Sequence, residues 1–270
     1  KGGSADAVAT DSGGENCYAG PEGLECTDQT AEAVAEVLGA GATDVQVCST
    51  GLIGLLNDRE ALLSGVRSAL DGLSADGGHA AATAIMTTDT VAKEAVVQGE
   101  GWTIGGMAKG AGMLAPALAT MLVVITTDAD VDAAAVDAAL RLATAQSFDR
   151  LDSDGCQSTN DTVLLMASAA SGIRPDAAEF AEAVTTVCTD LAMQLLADAE
   201  GADHEIALQV VNAASVDDAL EVGRSVARSH LFTCALFGTD PNWAGILASV
   251  GTQPAAVHTA DPKLPPHRSW

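Results

Sequence analysis

Aromatic residues are scarce: Phe, Trp and Tyr together make up 3% of the 270 residues. A core must therefore be built from Ala, Val, Leu and Ile, which carry most of the 48% apolar content. Basic residues are also few, with 12 Lys and Arg against 37 Asp and Glu and a formal charge of −25. Phosphate neutralisation needs Lys and Arg, so the balance argues against nucleic acid as a partner. The charge bears on solubility, including at high ionic strength, and not on fold. No two of the six cysteines (Cys17, Cys26, Cys48, Cys156, Cys188, Cys234) stand at CxxC spacing, and no histidines cluster with them. No metal site is expected, and the cysteines read as small core residues of a reduced chain. Neither a signal-peptide pattern nor an apolar run near the roughly 18 residues of a membrane span is visible. A cytoplasmic protein without a membrane partner is the expectation.

What is present is an alternation of element types. Period-2 or continuous apolar runs predict strands over 5–10, 45–48, 120–125, 204–211 and 231–237. Helical spacing predicts helices over 30–38, 59–70, 131–143, 176–199 and 215–229. Start signals support two of them: Asp176 with Glu179 after Pro175, and Ser215 with Asp218. Alternating elements with few hairpin signals predict an α/β (α+β) fold. At this length one large domain, or two closely packed ones, can hold a sizeable core. His79 reads as a surface histidine, and the proline-rich stretch 252–270 as a loose tail.

The chain is organised around 101–128, GWTIGGMAKGAGMLAPALATMLVVITTD. It begins as a glycine-dense loop around Lys109, one of only four lysines. Thr120 then opens an apolar run. From spacing alone, Thr120 is either the β-branched first residue of a strand or a nucleophile held at the entrance to one. A threonine hydroxyl needs a base. Chain cleavage before it would supply one in its own α-amine, whose ordinary pKa of about 7.7–8.0 suits the task.

Residues 105–128, GGMAKGAGMLAPALATMLVVITTD, closely resemble the self-cleavage region of the glutamate/ornithine N-acetyltransferase (bifunctional ArgJ) family of arginine biosynthesis. Further motifs resemble that family in the same order along the chain. They are DSGGENCYAGPEG from Asp11, CSTGLIG from Cys48, TTDT from Thr87 followed by Lys93, SFDRLDSDGCQSTNDTVLLMASAASG from Ser147, DAEG ending at Gly201, and FGTDPNW ending at Trp243. The resemblance runs over roughly 5–251. Asp11 replaces a usual asparagine, and Ala244-Gly245 stand where the family has Gly-Arg. Family members extend beyond both ends of this sequence.

The resemblance implies an ornithine acetyltransferase-like, self-processing fold with mixed sheets and packed helices. It divides the chain into an α-like segment (residues 1–119), a β-like segment (residues 120–251) and the tail 252–270, the two segments forming one intertwined unit. It implies cleavage at Ala119–Thr120, with Thr120 the nucleophile that carries the acetyl group from N-acetylornithine to glutamate. Thr50 and Gly51 would form the oxyanion hole, and Thr87, Lys109 and Glu200 would hold the substrate. Ser158 to Thr162 would order the site from behind. No cofactor is implied, although bifunctional members use acetyl-CoA as a second donor. Two α-like and two β-like chains would assemble. Two other readings use the same residues: an N-terminal-nucleophile hydrolase or aminopeptidase with water as acceptor, and an inactive shortened scaffold with an uncut Ala119–Thr120 bond.

Overall fold

The computed structural model describes residues 3–114, 121–156, 158 and 160–253. These fall into two compact units, Lys1–Asp203 and His204–Trp270. The first contains β1 (Ala7–Gly14), α1 (Gly20–Leu38), β2 (Val45–Leu52), α2 (Arg59–Asp71), α3 (Gly78–Ala84), β3 (Lys93–Gln98), β4 (Thr103–Lys109), β5 (Leu122–Thr127), α4 (Ala133–Gln146), β6 (Thr162–Ala167) and α5 (Ala177–Ala197). The second contains α6 (Val216–Ala227), α7 (His230–Phe237) and α8 (Trp243–Val250). The chain is therefore mixed α and β.

In the larger unit β1 and β2 pair in parallel, with α1 as the crossover. A small core of Ala31, Val34, Ala35 and Val45 lies beneath them, with Val66 and Leu70 of α2 against it. Asp58 caps α2 by accepting from the Ala61 amide at 3.0 Å, which fixes where that helix begins. The second sheet has the order β3-β4-β5-β6. Its first three strands are antiparallel, and β6 joins parallel to β5. The main core fills the space between this sheet and helices α4 and α5. Ile104, Val123 and Ile125 meet Phe180, Val184, Val187, Leu191 and Leu195 there. With so few aromatics, the one tilted pair at this layer, Trp102 on Phe180 at 5.9 Å, anchors the β3–β4 turn to α5.

The expected glycine loop is a strand. Gly105 and Gly106 sit inside β4, paired on both sides. A Cβ on Gly106 would stand 3.0 Å from Ile125 Cγ1 and 3.3 Å from Leu191 Cδ1, so glycine here lets α5 close on the sheet. Two other expectations are corrected. Residues 231–237 form helix α7, opened by Ser229, whose hydroxyl accepts from the Phe232 amide at 3.3 Å. A short apolar run fits strand and helix alike, and the cap decides. Residues 204–211 adopt no regular element and lie largely exposed, because no neighbouring strand pairs with them among the described residues. By length and composition α5 is long enough to cross a membrane, contrary to the expectation from the sequence. Eight of its side chains are buried in the core just described.

In the smaller unit α6, α7 and α8 pack on one another. Asn242 caps α8 through the Gly245 amide at 2.9 Å, and a Cβ on Gly245 would press on Leu231 at 3.3 Å. The boundary between compact units falls after Asp203. On either side of positions 119 and 120, β4 and β5 pair in a single sheet.

Candidate active site

The site gathers where the ends of β2, β4 and β5 meet. Lys109 closes β4 with its side chain fully buried. Its Nζ donates to Thr50 Oγ1 at 2.7 Å, and Thr50 is buried in β2. An oxygen that accepts from an ammonium keeps its own proton for donation elsewhere. Burial pushes the Lys109 ammonium below its ordinary pKa, and the carboxylates of Asp89, Glu15 and Asp161 pull it partly back.

Gly51 follows, at φ +130°, facing Gly13 across the parallel ladder. A Cβ there would sit 2.5 Å from the Gly13 carbonyl oxygen. Backbone cannot give way as a flexible side chain can. Gly51→Ala is therefore expected to force β1 from β2 and lower stability by at least about 2 kcal/mol, read from urea unfolding. Unchanged stability would show that the strand pair tolerates the contact.

Around Lys109 runs a buried ionic network. Asp89 Oδ1 accepts from the Gly110 amide at 2.7 Å and from Lys93 Nζ at 2.6 Å, and its Oδ2 accepts from the Thr87 amide at 3.1 Å. Lys93 Nζ also donates to Asp198 Oδ2 at 2.6 Å. Asp198 in turn accepts from the amide and hydroxyl of Thr90. Burial alone would raise the Asp89 carboxyl, but these donors hold it below its ordinary value; Asp198 behaves the same way. The network fixes the 87–90 turn against the start of β3 and the end of α5.

Glu200 follows α5. Its amide donates to the Ala111 carbonyl at 2.7 Å, and a Cβ on Gly112 would meet its Oε2 at 3.0 Å. The exposed Glu200 carboxylate thus lies over the turn that leaves Lys109. From the other side, Asn160 Nδ2 donates to the Ser49 carbonyl at 2.6 Å. The Ser49 hydroxyl donates to Asp11 Oδ2 at 2.7 Å. Asp11, pushed up by burial, thereby holds β1 to the residue preceding Thr50.

The structure brings Thr50, Gly51, Lys109 and Glu200 to one region and ties exposed Thr87 to it through Asp89. Ala119 and Thr120 lie outside the described residues. The described neighbours are Leu114, whose amide donates to Ser153 Oγ at 3.2 Å, and Met121, whose amide donates to Asp161 Oδ1 at 2.8 Å. Sequence reading gave no site role to Asp89 or Asp198. The four-residue spacing of Asp89 and Lys93 was a local clue, whereas Asp198 arrives from 105 positions away. His79 is an exposed side chain that meets Glu94 at 2.6 Å. Cys26, Cys48 and Cys188 are buried, and burial pushes the Cys188 thiol up to about 12. Among the described residues no three His, Cys, Asp or Glu side chains gather to hold a metal.

A buried ammonium and hydroxyl beside a glycine strand end, with a carboxylate close by, can stabilise a developing anion through their donors. Residues 1–265 match the ArgJ family model, and the chain belongs to that acetyltransferase family. It is 59% identical over 256 residues to the arginine biosynthesis bifunctional protein ArgJ of Streptomyces coelicolor, covering 95% of this chain and 67% of that protein. It is 60% identical over 256 residues to the protein of the same name from Streptomyces avermitilis, with the same coverage. The chain thus spans about two thirds of the length of these curated relatives. Among solved structures, the ornithine acetyltransferase of Mycobacterium tuberculosis complexed with ornithine is 48% identical. That likeness covers 41% of this chain and 61% of that one, at a TM-score of 0.40.

Proposed function

We propose that the protein transfers an acetyl group from N-acetylornithine to glutamate through an acetyl ester on Thr120, after cleavage of its own Ala119–Thr120 bond. The freed α-amine of Thr120 takes the proton from its hydroxyl as that oxygen attacks the acetyl carbonyl. The oxyanion is held by the Thr50 hydroxyl and the Gly51 amide. Ornithine leaves with the returned proton. Glutamate then attacks the ester and departs as N-acetylglutamate. Glu200 pairs with the ammonium of the amino-acid substrate, and Lys109 and Thr87 hold its polar groups. The protein works in the cytoplasm as an assembly of two α-like and two β-like chains.

The observation that supports this most is the Lys109–Thr50 hydrogen bond. It orients a buried hydroxyl so that its proton is available to an oxyanion. Each such donor is worth roughly 2.7–4 kcal/mol in the transition state.

The test is incubation with N-acetylornithine with and without glutamate, and separately with acetyl-CoA and glutamate. Ornithine and N-acetylglutamate forming together only when glutamate is present, with parallel-line ping-pong kinetics, is the expected result. Acetate released at the same rate without glutamate would assign a hydrolase instead.

A further inference from the structure

Thr50 and Gly51 can serve an oxyanion only if the end of β2 is held still, yet among the described residues β2 pairs with β1 alone. We propose that Asn160 is a positioning residue for acetyl transfer: its side-chain amide fixes the peptide unit between Ser49 and Thr50, and through it the Thr50 hydroxyl and the Gly51 amide. This rests on the reading above, in which those two groups hold the oxyanion, and adds the side chain that keeps them in place.

The Asp44 carbonyl accepts from the Asp6 amide at 2.8 Å. Main-chain groups of a strand alternate between its two edges. Counting on from Asp44, the Ser49 carbonyl turns away from β1, and the Gly51 amide, two residues on, shares its edge. Asn160 Nδ2 donates to that carbonyl at 2.6 Å, across 111 positions of sequence. It thus stands where the next strand of the sheet would stand. A peptide unit is rigid, so a grip on its carbonyl also sets the Thr50 nitrogen. An oxyanion taken up by the Gly51 amide lies on the same edge, where a bare Ser49 carbonyl would repel it. The Asn160 amide offsets that carbonyl's negative end.

Asn160 is itself held. Its Oδ1 accepts from the Ser158 hydroxyl at 3.3 Å, and its own carbonyl accepts from the hydroxyl of Thr162, the first residue of β6, at 3.1 Å. The Ser49 hydroxyl donates to Asp11 Oδ2 at 2.7 Å and accepts from Asn16 Nδ2 at 3.0 Å. Buried Ser49 is therefore gripped from the β1 side through its side chain and from the β6 side through its backbone. Thr50, next in line, meets Lys109 of β4 at 2.7 Å.

The test is the steady-state rate of acetyl transfer from N-acetylornithine to glutamate by the wild type, Asn160→Ala and Asn160→Asp. An oxyanion exists only in the transition state, so Asn160→Ala should lower kcat by about 10–100-fold and change either KM by less than about threefold. Asn160→Asp keeps the size of the side chain, but its ionised carboxylate donates nothing, and at about pH 8 its kcat should fall at least as far. Between about pH 8 and 6 a growing share of that carboxyl carries a proton it can donate. Its rate relative to the wild type should therefore rise at least about fivefold over that range, while the ratio for Asn160→Ala stays flat. Dividing by the wild-type rate removes the titrations both proteins share, those of Asp11 and Asp161 among them.

A wild-type kcat in Asn160→Ala, with or without a fall in Tm, would overturn the proposal, since the bond would then serve stability alone. Should Asn160→Ala fail to fold, the isosteric Asn160→Asp decides: a ratio that does not move with pH would overturn it as well. A wild type that transfers no acetyl would instead remove the reading of the site, and this inference with it.

Discussion

Thr120→Ala is expected to leave one uncut chain of 27.0 kDa and to abolish acetyl transfer. Removing an activated nucleophile costs on the order of 10^4–10^6-fold, and here the same change also removes the amine that would serve as base. Thr120→Ser keeps a hydroxyl and should recover both processing and transfer, which separates chemistry from misfolding. Gel electrophoresis and an N-acetylornithine assay read the two effects. An Ala variant that is still cut and still transfers acetyl would remove Thr120 from the mechanism.

Lys93→Met should be the most destabilising change of the buried polar network. The Lys93 side chain is fully buried between Asp89 and Asp198 at 2.6 Å each. Taking away one cation leaves two carboxylates facing each other in a dry site, with an expected loss of about 3–5 kcal/mol. For a chain of this size that is a fall in Tm of roughly 6–20 °C. Differential scanning calorimetry measures it.

The pH sign follows from the same contacts. Both carboxyls are held below their ordinary value of 3.8, so their contribution is present above that value and lost as pH falls through the depressed one. The wild type should therefore lose stability on acidification below about pH 4, and Lys93→Met should lose less. Equal Tm values for the two proteins at neutral pH would show that the network is not holding the 87–90 turn.

Helices α5 and α6 were legible in the sequence because their start signals are local. Asp176 and Ser215 each accept a hydrogen bond within the first turn they open; the caps Asp58 and Asp132 came to light only in the structure. The strand β4 was not, since its glycines follow from α5 packing across the sheet, a contact with Leu191 that no nearby residue announces. The same limit applies to 231–237, where apolar content suits either element and only Ser229 distinguishes them.

In the site, Thr50 and Lys109 were named from motifs, but their hydrogen bond spans 59 positions. Asp161 stood in a quoted motif and was read as ordering the site from behind. Its grip on the Met121 amide exists only once β5 and β6 lie side by side. Asp11, noted only as a departure from the usual asparagine, turns out to accept from Ser49 and so to brace the strand that carries Thr50.

The most direct test is the intact mass of the purified protein under denaturing conditions, followed by N-terminal sequencing of each species. Two masses that sum to the whole chain plus one water, the second beginning at Thr120, are the predicted result. A single full-length mass would contradict the account, since the amine on which transfer depends would never have been freed.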